Sequence, residues 1–499
     1  TLIIFHDHEP GIDQIRHMSW SQDLINSSNF FDIAKPSLEQ IKDLNSSFFV
    51  NLFKPAYSDL GHLFNLFPII ILSIFIYLFE NIVFIFNLIS VTFFVGNLYL
   101  AHAIYEKFFT KINNNISLIL FFALIFSSYY FFYAPLGIHN ISLFFNLLVI
   151  YYLKDNDNKW FKNKLFFLII IITLGIYSHK INLVLLLPSV FFYFFINKNF
   201  NFLFKYLFIQ LFLLTPIFII IYFFPETLIS TKKFAQIDIS LFNYLNNFFM
   251  WFKNLYLTIG LVPIIFFLIG LYFIKKKKNS SIILIFIFTH IFFYIFINSF
   301  SLFYIRTNLY INYLVLLIGF YGFISLLEIK KKKVTFIIVI FLTIHTFLNS
   351  NNFYQFFLEG NYSIYNKYYT NNGKIQKSLK NIEKYFSENS EIIFLDNKVQ
   401  DYFKIYKADK FYKDNIFRKP LKNLINDKKS INKIFNTQIS TQDIIMISLT
   451  NDFHEGQRYI ALISKLNDTN CNYKLEKIKL FENIGPNKEN LELNKVICN

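Results

Sequence analysis

The chain has 499 residues, 55% of them hydrophobic, with 69 Phe, 32 Tyr and a formal net charge of +16. A mean hydropathy of +0.41 excludes an ordinary soluble globular chain. The lysines stand in short blocks between apolar runs, as membrane topology signals do, so the bilayer is the expected partner and nucleic acid is not.

The first residues read TLIIFHDHEPGIDQIRHMSW. TLIIF is expected to be the end of a hydrophobic helix, either a first span lacking its beginning or a signal-peptide remnant. His6, Asp7, His8, Glu9, Asp13 and His17 follow closely, and such donors suit zinc or manganese. Pro10-Gly11 interrupts any helix there, so the i, i+4 face of a strong His-pair site is missing. That weighs against a divalent metal, and no other cofactor is implied. Asp13 precedes QIRHMSWSQDL and can be a helix N-cap, a reactive carboxylate at the membrane surface, or both.

Runs able to cross about 30 Å of hydrocarbon fall near 86–105, 116–133, 141–153, 165–178, 181–197, 206–224, 258–274, 281–299, 308–327 and 334–349. A further run at 63–79 stops at Glu80-Asn81 and reads as a short span or an interfacial helix. If it does not cross, the inner connections (106–115, 154–164, 198–205, 275–280 and 329–333) carry 16 Lys. The outer ones (134–140, 179–180, 225–257 and 300–307) then carry only Lys180, Lys232, Lys233, Lys253 and Arg306. That asymmetry follows the positive-inside rule and puts the N-terminal segment and everything after about 350 on the outer face.

The tail changes character. EIIFLDN (391–397), QDIIMISL (442–449) and YKLEKIKLF (473–481) read as strands, and IQKSLKNIEKYFSE as helix. Both cysteines, Cys471 and Cys498, lie in this tail, so on an oxidising face they are either disulfide-bonded or two free thiols. The expected fold is an α-helical polytopic membrane protein of about 10–11 spans. Residues 1–85 form the end of the first span and a long first outer loop, 86–350 the helical bundle, and 351–499 a small outer α/β domain.

The first outer loop carries Asp13-Gln14, then Trp20 and Leu24, and later Lys54-Pro55 in NLFKPAYSDLGHLFNLFP. In this arrangement the chain resembles the polytopic GT-C glycosyltransferases, in particular their mannosyltransferase, lipid A aminoarabinose transferase and RgtA/B/C/D-like group. That family has an Asp-Glu motif where this chain has Asp13-Gln14, and juxtamembrane helices in its first outer loop. The likeness runs over roughly residues 1–350. It implies inverting transfer of a sugar from a polyprenyl-phosphate donor to a glycolipid, polysaccharide or protein acceptor, at the periplasmic face of a bacterial inner membrane.

Such a transfer needs a base for the acceptor's proton and cations for the leaving phosphate. Asp13 is the expected base. Lys54, next to Pro55 and an apolar run, is either a phosphate ligand or a snorkelling interfacial Lys. Arg306, with Tyr304, Tyr310 and Tyr313 nearby in SLFYIRTNLYINYL, is a bidentate phosphate ligand or an interfacial anchor; the chain has only four Arg, which favours a specific role. Related enzymes often carry a second carboxylate in the second outer loop; here His139 and Asn140 stand there, able to orient a head group or simply to bond backbone. Lys180, after His179, adds charge for a phosphate or flanks a span. A transporter would keep charged side chains near the midplane of its spans, whereas these gather at the outer surface. A membrane receptor with an outer binding domain is the other alternative.

Overall fold

The computed structural model describes residues 12–26, 65–79, 82–109, 139–153, 158–179, 181–223, 241–274, 281–296, 309–329, 378–379, 381–385, 391–394, 397–406, 444–449, 473–482 and 490–498. Most of these are helical. The chain divides into two compact units, one of 1–40, 69–86 and 355–499, the other of 41–68 and 87–354.

The helices, in chain order, are α1 Ile12–Asn26, α2 Leu66–Leu78, α3 Ile82–Phe109, α4 His139–Leu153, α5 Asn158–Ser178, α6 Ile181–Val184, α7 Leu186–Ile196, α8 Phe200–Phe223, α9 Leu241–Ile259, α10 Leu261–Ile274, α11 Ser281–Phe296, α12 Leu309–Ile329 and α13 Asn397–Tyr406. Every expected span between 141 and 327, and that at 86–105, coincides with helix; the runs at 116–133 and 334–349 lie outside the described residues. By length and hydropathy α3, with 28 residues, is the one helix among the described residues long and apolar enough to cross a membrane; the others present shorter apolar stretches. The run at 63–79 gives α2, with 13 residues, about 20 Å long at 1.5 Å per residue.

Two expected spans are divided, and a proline accounts for each. The run at 181–197 breaks at Leu185 because Pro188 has no N–H to give the carbonyl of Val184, and its ring crowds that carbonyl. The run at 258–274 begins inside a longer helix, α9, which occupies part of what reads as an outer connection. It breaks at Gly260, whose φ of 82° reverses the backbone one turn before Pro263.

In the larger unit, side-chain contacts fix the helix directions. Asn97 Nδ2 donates to the Asn140 carbonyl at 2.9 Å and Lys107 Nζ to the Tyr151 carbonyl at 2.9 Å, so α3 and α4 are parallel. Asn182 meets Ser142, and the Tyr193 hydroxyl donates to the Leu153 carbonyl at 2.8 Å, so the α6–α7 pair also runs parallel to α4. Gln210 reaches Thr173 and Tyr177 reaches the Leu213 carbonyl, which makes α8 parallel to α5. Tyr105 lies against Phe320 and Phe109 stacks on Tyr321, just past the middle of α12. Lys107 also sits 3.9 Å above the Tyr151 ring, a cation at the carbonyl end of α4 where the helix dipole favours it.

Helices α10 and α12 pack backbone to backbone. A Cβ added at Gly270 would overlap the Ile318 carbonyl, and one at Gly322 would overlap the Phe266 carbonyl and Gly270 itself. Small residues let the two backbones approach this closely. Among the described residues of this unit large apolar side chains are exposed: Phe204, Phe208, Phe212 and Tyr272 are each at least two-thirds exposed, Phe208 at 78%. Its interior holds Asn97, Asn140, Ser142, Asn146 and Asn182, the last fully buried.

The smaller unit contains a four-stranded sheet of β1 Glu391–Phe394, β2 Ile444–Leu449, β3 Tyr473–Phe481 and β4 Leu491–Cys498, in the order β1-β2-β4-β3. β1 pairs parallel with β2, β2 antiparallel with β4, and β4 antiparallel with β3 across a bulge at Lys477/Lys479. The three strand segments read from the sequence are strands; β4 was not among them. Ile445, Ile447, Leu491 and Leu493 are buried on the sheet, and Val399, Tyr402 and Phe403 on α13, the helix that follows β1.

Candidate functional site

Three helix ends of the larger unit meet. α4 starts at His139, α5 closes before His179, and α12 starts just ahead of Tyr310. The His139 and His179 rings stand edge to face with centroids 4.6 Å apart. One turn into α4, Ser142 faces Tyr310 and accepts from Asn182 Nδ2 at 2.7 Å. Asn182 Nδ2 also donates to the Gly175 carbonyl at 2.8 Å, and its Oδ1 accepts from Asn146 Nδ2 at 2.7 Å. Gly175 keeps this approach close: a Cβ there would lie 3.1 Å from Phe145 Cβ and push the Leu186 side chain aside. The backbone N–H of Asn182 donates to the His179 carbonyl at 3.0 Å, so one short turn carries both the ring that meets His139 and the amide that ties α4 to α5.

Below this cluster lies a small cavity lined by Asn146, Leu147, Ile150, Leu185, Phe286, His290, Tyr310, Ile311 and Leu314. Tyr310 is buried, and its hydroxyl, though turned toward Ser142, makes no hydrogen bond of ordinary geometry. His290 accepts from Trp251 Nε1 of α9 at 3.3 Å. Two helices, α4 and α12, start at this end, where the helix dipole favours negative charge.

His139 and Tyr310 are thus drawn into one neighbourhood through Ser142, and His179, the residue before Lys180, joins them. The side chains of Lys54, Lys180 and Arg306 lie outside the described residues, as do those of Asp13, Cys471 and Cys498. The backbone places Asp13 second in α1, inside the first turn rather than at the cap, where an acidic residue complements the dipole. Cys498 ends β4 in register with Tyr473, two residues along the chain from Cys471. Asn146, Asn182 and His290 did not stand out in the sequence, although His139, Ser142 and Asn146 mark one helical face at i, i+3 and i+7 within an apolar run.

α1 belongs to the smaller unit. Met18, Ser19, Trp20 and Ser21 are buried. Ser21 Oγ donates to the His17 carbonyl at 2.9 Å and lies 3.3 Å from the Ile69 carbonyl of α2; Ser73 Oγ reaches back to the Ser21 carbonyl at 3.2 Å. On the other side Ser19 Oγ donates to Asp401 Oδ1 of α13 at 2.6 Å. Among the described residues no three His, Cys, Asp or Glu side chains converge as a metal site would require; the His6–Glu9 cluster lies outside them. No protein-family model matches the chain, and no curated protein matches it by sequence.

Proposed function

We propose that the protein is a multi-pass membrane glycosyltransferase that moves a sugar from a polyprenyl-phosphate donor to a glycolipid, polysaccharide or protein acceptor at the outer face of a bacterial inner membrane. The observation that carries the membrane part is the inversion of polarity in the larger unit: rings such as Phe208 and Phe212 face outward while Asn140, Asn146 and Asn182 face inward. Water would penalise that exterior, and lipid tails would not. The parallel course of α3, α4 and α6–α7 agrees with spans that start on the same face.

The transfer part rests on the resemblance through Asp13, Trp20, Leu24 and Lys54-Pro55, together with the polar end of the bundle at His139, His179 and Tyr310. In this reading the Asp13 carboxylate takes the proton of the acceptor hydroxyl or amine. The acceptor atom bonds to C1 of the sugar from the face opposite the phosphate as the C1–O bond breaks. Polyprenyl phosphate departs with the bonding electron pair, its charge held by Lys54, Lys180 and Arg306. His139 orients the sugar head group. Among the described residues the buried polar side chains are Ser, Thr, Asn, Gln and His alone, without the midplane Asp, Glu, Lys or Arg of ion-coupled transport.

Mass spectrometry of envelope glycolipids and glycans tests the reading. Cells lacking the gene should lose one glycosylated species, restored by the wild-type chain and not by Asp13→Asn. An unchanged profile, or full restoration by Asp13→Asn, would overturn it.

A further inference from the structure

The contact between α1 and α13 joins segments 382 residues apart through a hydrogen bond to a carboxylate. At 2.6 Å it has the short length of a charge-assisted O–H···O bond, and it ties a first-loop helix to the C-terminal α/β domain. Ser19 is fully buried, as is Met18 beside it; Tyr402 and Phe403, which follow Asp401, are buried in turn. Two residues on, Ser21 anchors the same helix to α2. α1 is therefore held on one side by the Ile69 carbonyl and the Ser73 hydroxyl of α2 and on the other by Asp401, with Asp13 about 1.7 turns ahead of Ser19.

A helix of 15 residues seldom holds its shape in water without tertiary contacts. Its polar composition, IDQIRHMSWSQDLIN, gives it only a thin apolar stripe, so its position depends on the few buried residues named above. We infer that the C-terminal domain is the positioning element of the first-loop helix, and that Asp401, through Ser19, sets where Asp13 stands. Asp401 is a positioning residue rather than a catalytic one. The inference rests on the reading of Asp13 as the base, and it gives the C-terminal domain a role in that site: its sheet fixes α13, and α13 fixes α1.

The test uses the full chain in lipid nanodiscs, with Ser19→Ala, Asp401→Leu and the conservative Asp401→Asn, which keeps an acceptor oxygen for the Ser19 hydroxyl. Two readouts are taken on each folded variant: amide hydrogen exchange across 12–26, and kcat and KM with a polyprenyl-phosphate sugar. Asp401→Leu and Ser19→Ala are expected to speed exchange in α1 by about tenfold, the loss of one hydrogen bond to a charged group. They should lower kcat by a similar factor with donor KM unchanged, and Asp401→Asn should recover most of both. Exchange in β2 and β4 should stay as in wild type, which separates displacement of α1 from unfolding of the domain. Unchanged exchange in α1, or faster exchange with wild-type kcat, would overturn the inference. If the wild-type chain transfers no sugar, the reading of Asp13 falls by itself, and exchange alone decides the coupling: faster supports it and unchanged overturns it.

Discussion

Asn182 is the residue on which the polar end of the bundle turns, and replacing it with Leu has a calculable cost. The change removes three short side-chain hydrogen bonds, to Ser142 Oγ at 2.7 Å, to the Gly175 carbonyl at 2.8 Å and from Asn146 Nδ2 at 2.7 Å, and a long one to the Ser142 carbonyl at 3.4 Å. Side-chain hydrogen bonds between membrane helices average about 0.6 kcal/mol and reach about 1.7, so three are worth about 2 kcal/mol. Asn146 Nδ2 keeps the Ser142 carbonyl at 3.0 Å, so it is not left stranded and the larger penalty for an orphaned buried donor does not apply. Leu keeps the branched shape of Asn but carries two methyl groups in place of the amide O and NH2, and their extra bulk in a buried position adds an overpacking cost of about 1 kcal/mol. The expected loss is therefore about 2–3 kcal/mol, read by equilibrium unfolding in mixed micelles. A double-mutant cycle with Ser142→Ala should return a coupling of about 0.6 kcal/mol. A total loss below about 0.5 kcal/mol, the scale of an ordinary surface change, would refute the network as the joint between α4, α5 and α6.

Gly270→Val should destabilise the same unit by about 3 kcal/mol, since the Cβ would overlap the backbone carbonyl and Cγ2 of Ile318; a thermal midpoint in detergent equal to wild type would count against the close α10–α12 approach. Nitroxide labels at Phe208→Cys and Phe212→Cys, replacing exposed rings of α8, should collide with oxygen and not with a water-soluble nickel chelate in a bilayer. The reverse preference would remove α8 from the lipid surface. Cys471 and Cys498 are expected to be bonded in protein recovered from the cell envelope, read as a shift of about 2 Da on reduction; two alkylatable thiols in unreduced protein would show that they are not.

The apolar runs were legible as helices because side chains that face lipid or a helical core must be apolar over many turns. What the sequence did not disclose were the breaks at Leu185 and Gly260. Both depend on a single downstream proline, Pro188 or Pro263, whose effect reaches four residues back. The strand β4 escaped notice because LELNKVIC mixes polar and apolar residues, and only pairing with both β2 and β3 commits it to a sheet. At the site, His139 and Tyr310 were visible as polar residues at the ends of apolar runs. Their relation to His179 and Asn182 was not, since it depends on the parallel packing of helices separated by other spans. The Ser19–Asp401 bond lay beyond any local pattern, because nothing in either segment names the other.

Sugar transfer by the purified chain in liposomes, with a labelled polyprenyl-phosphate sugar and envelope lipid as acceptor, tests the proposed chemistry most directly. The wild-type chain should label the acceptor. Asp13→Asn, correctly folded and inserted, should lose about two to four orders of magnitude in rate, the range that a general base supplies. Full activity in Asp13→Asn would contradict the role of Asp13, and no transfer by the wild-type chain with any lipid-phosphate sugar would contradict the enzyme.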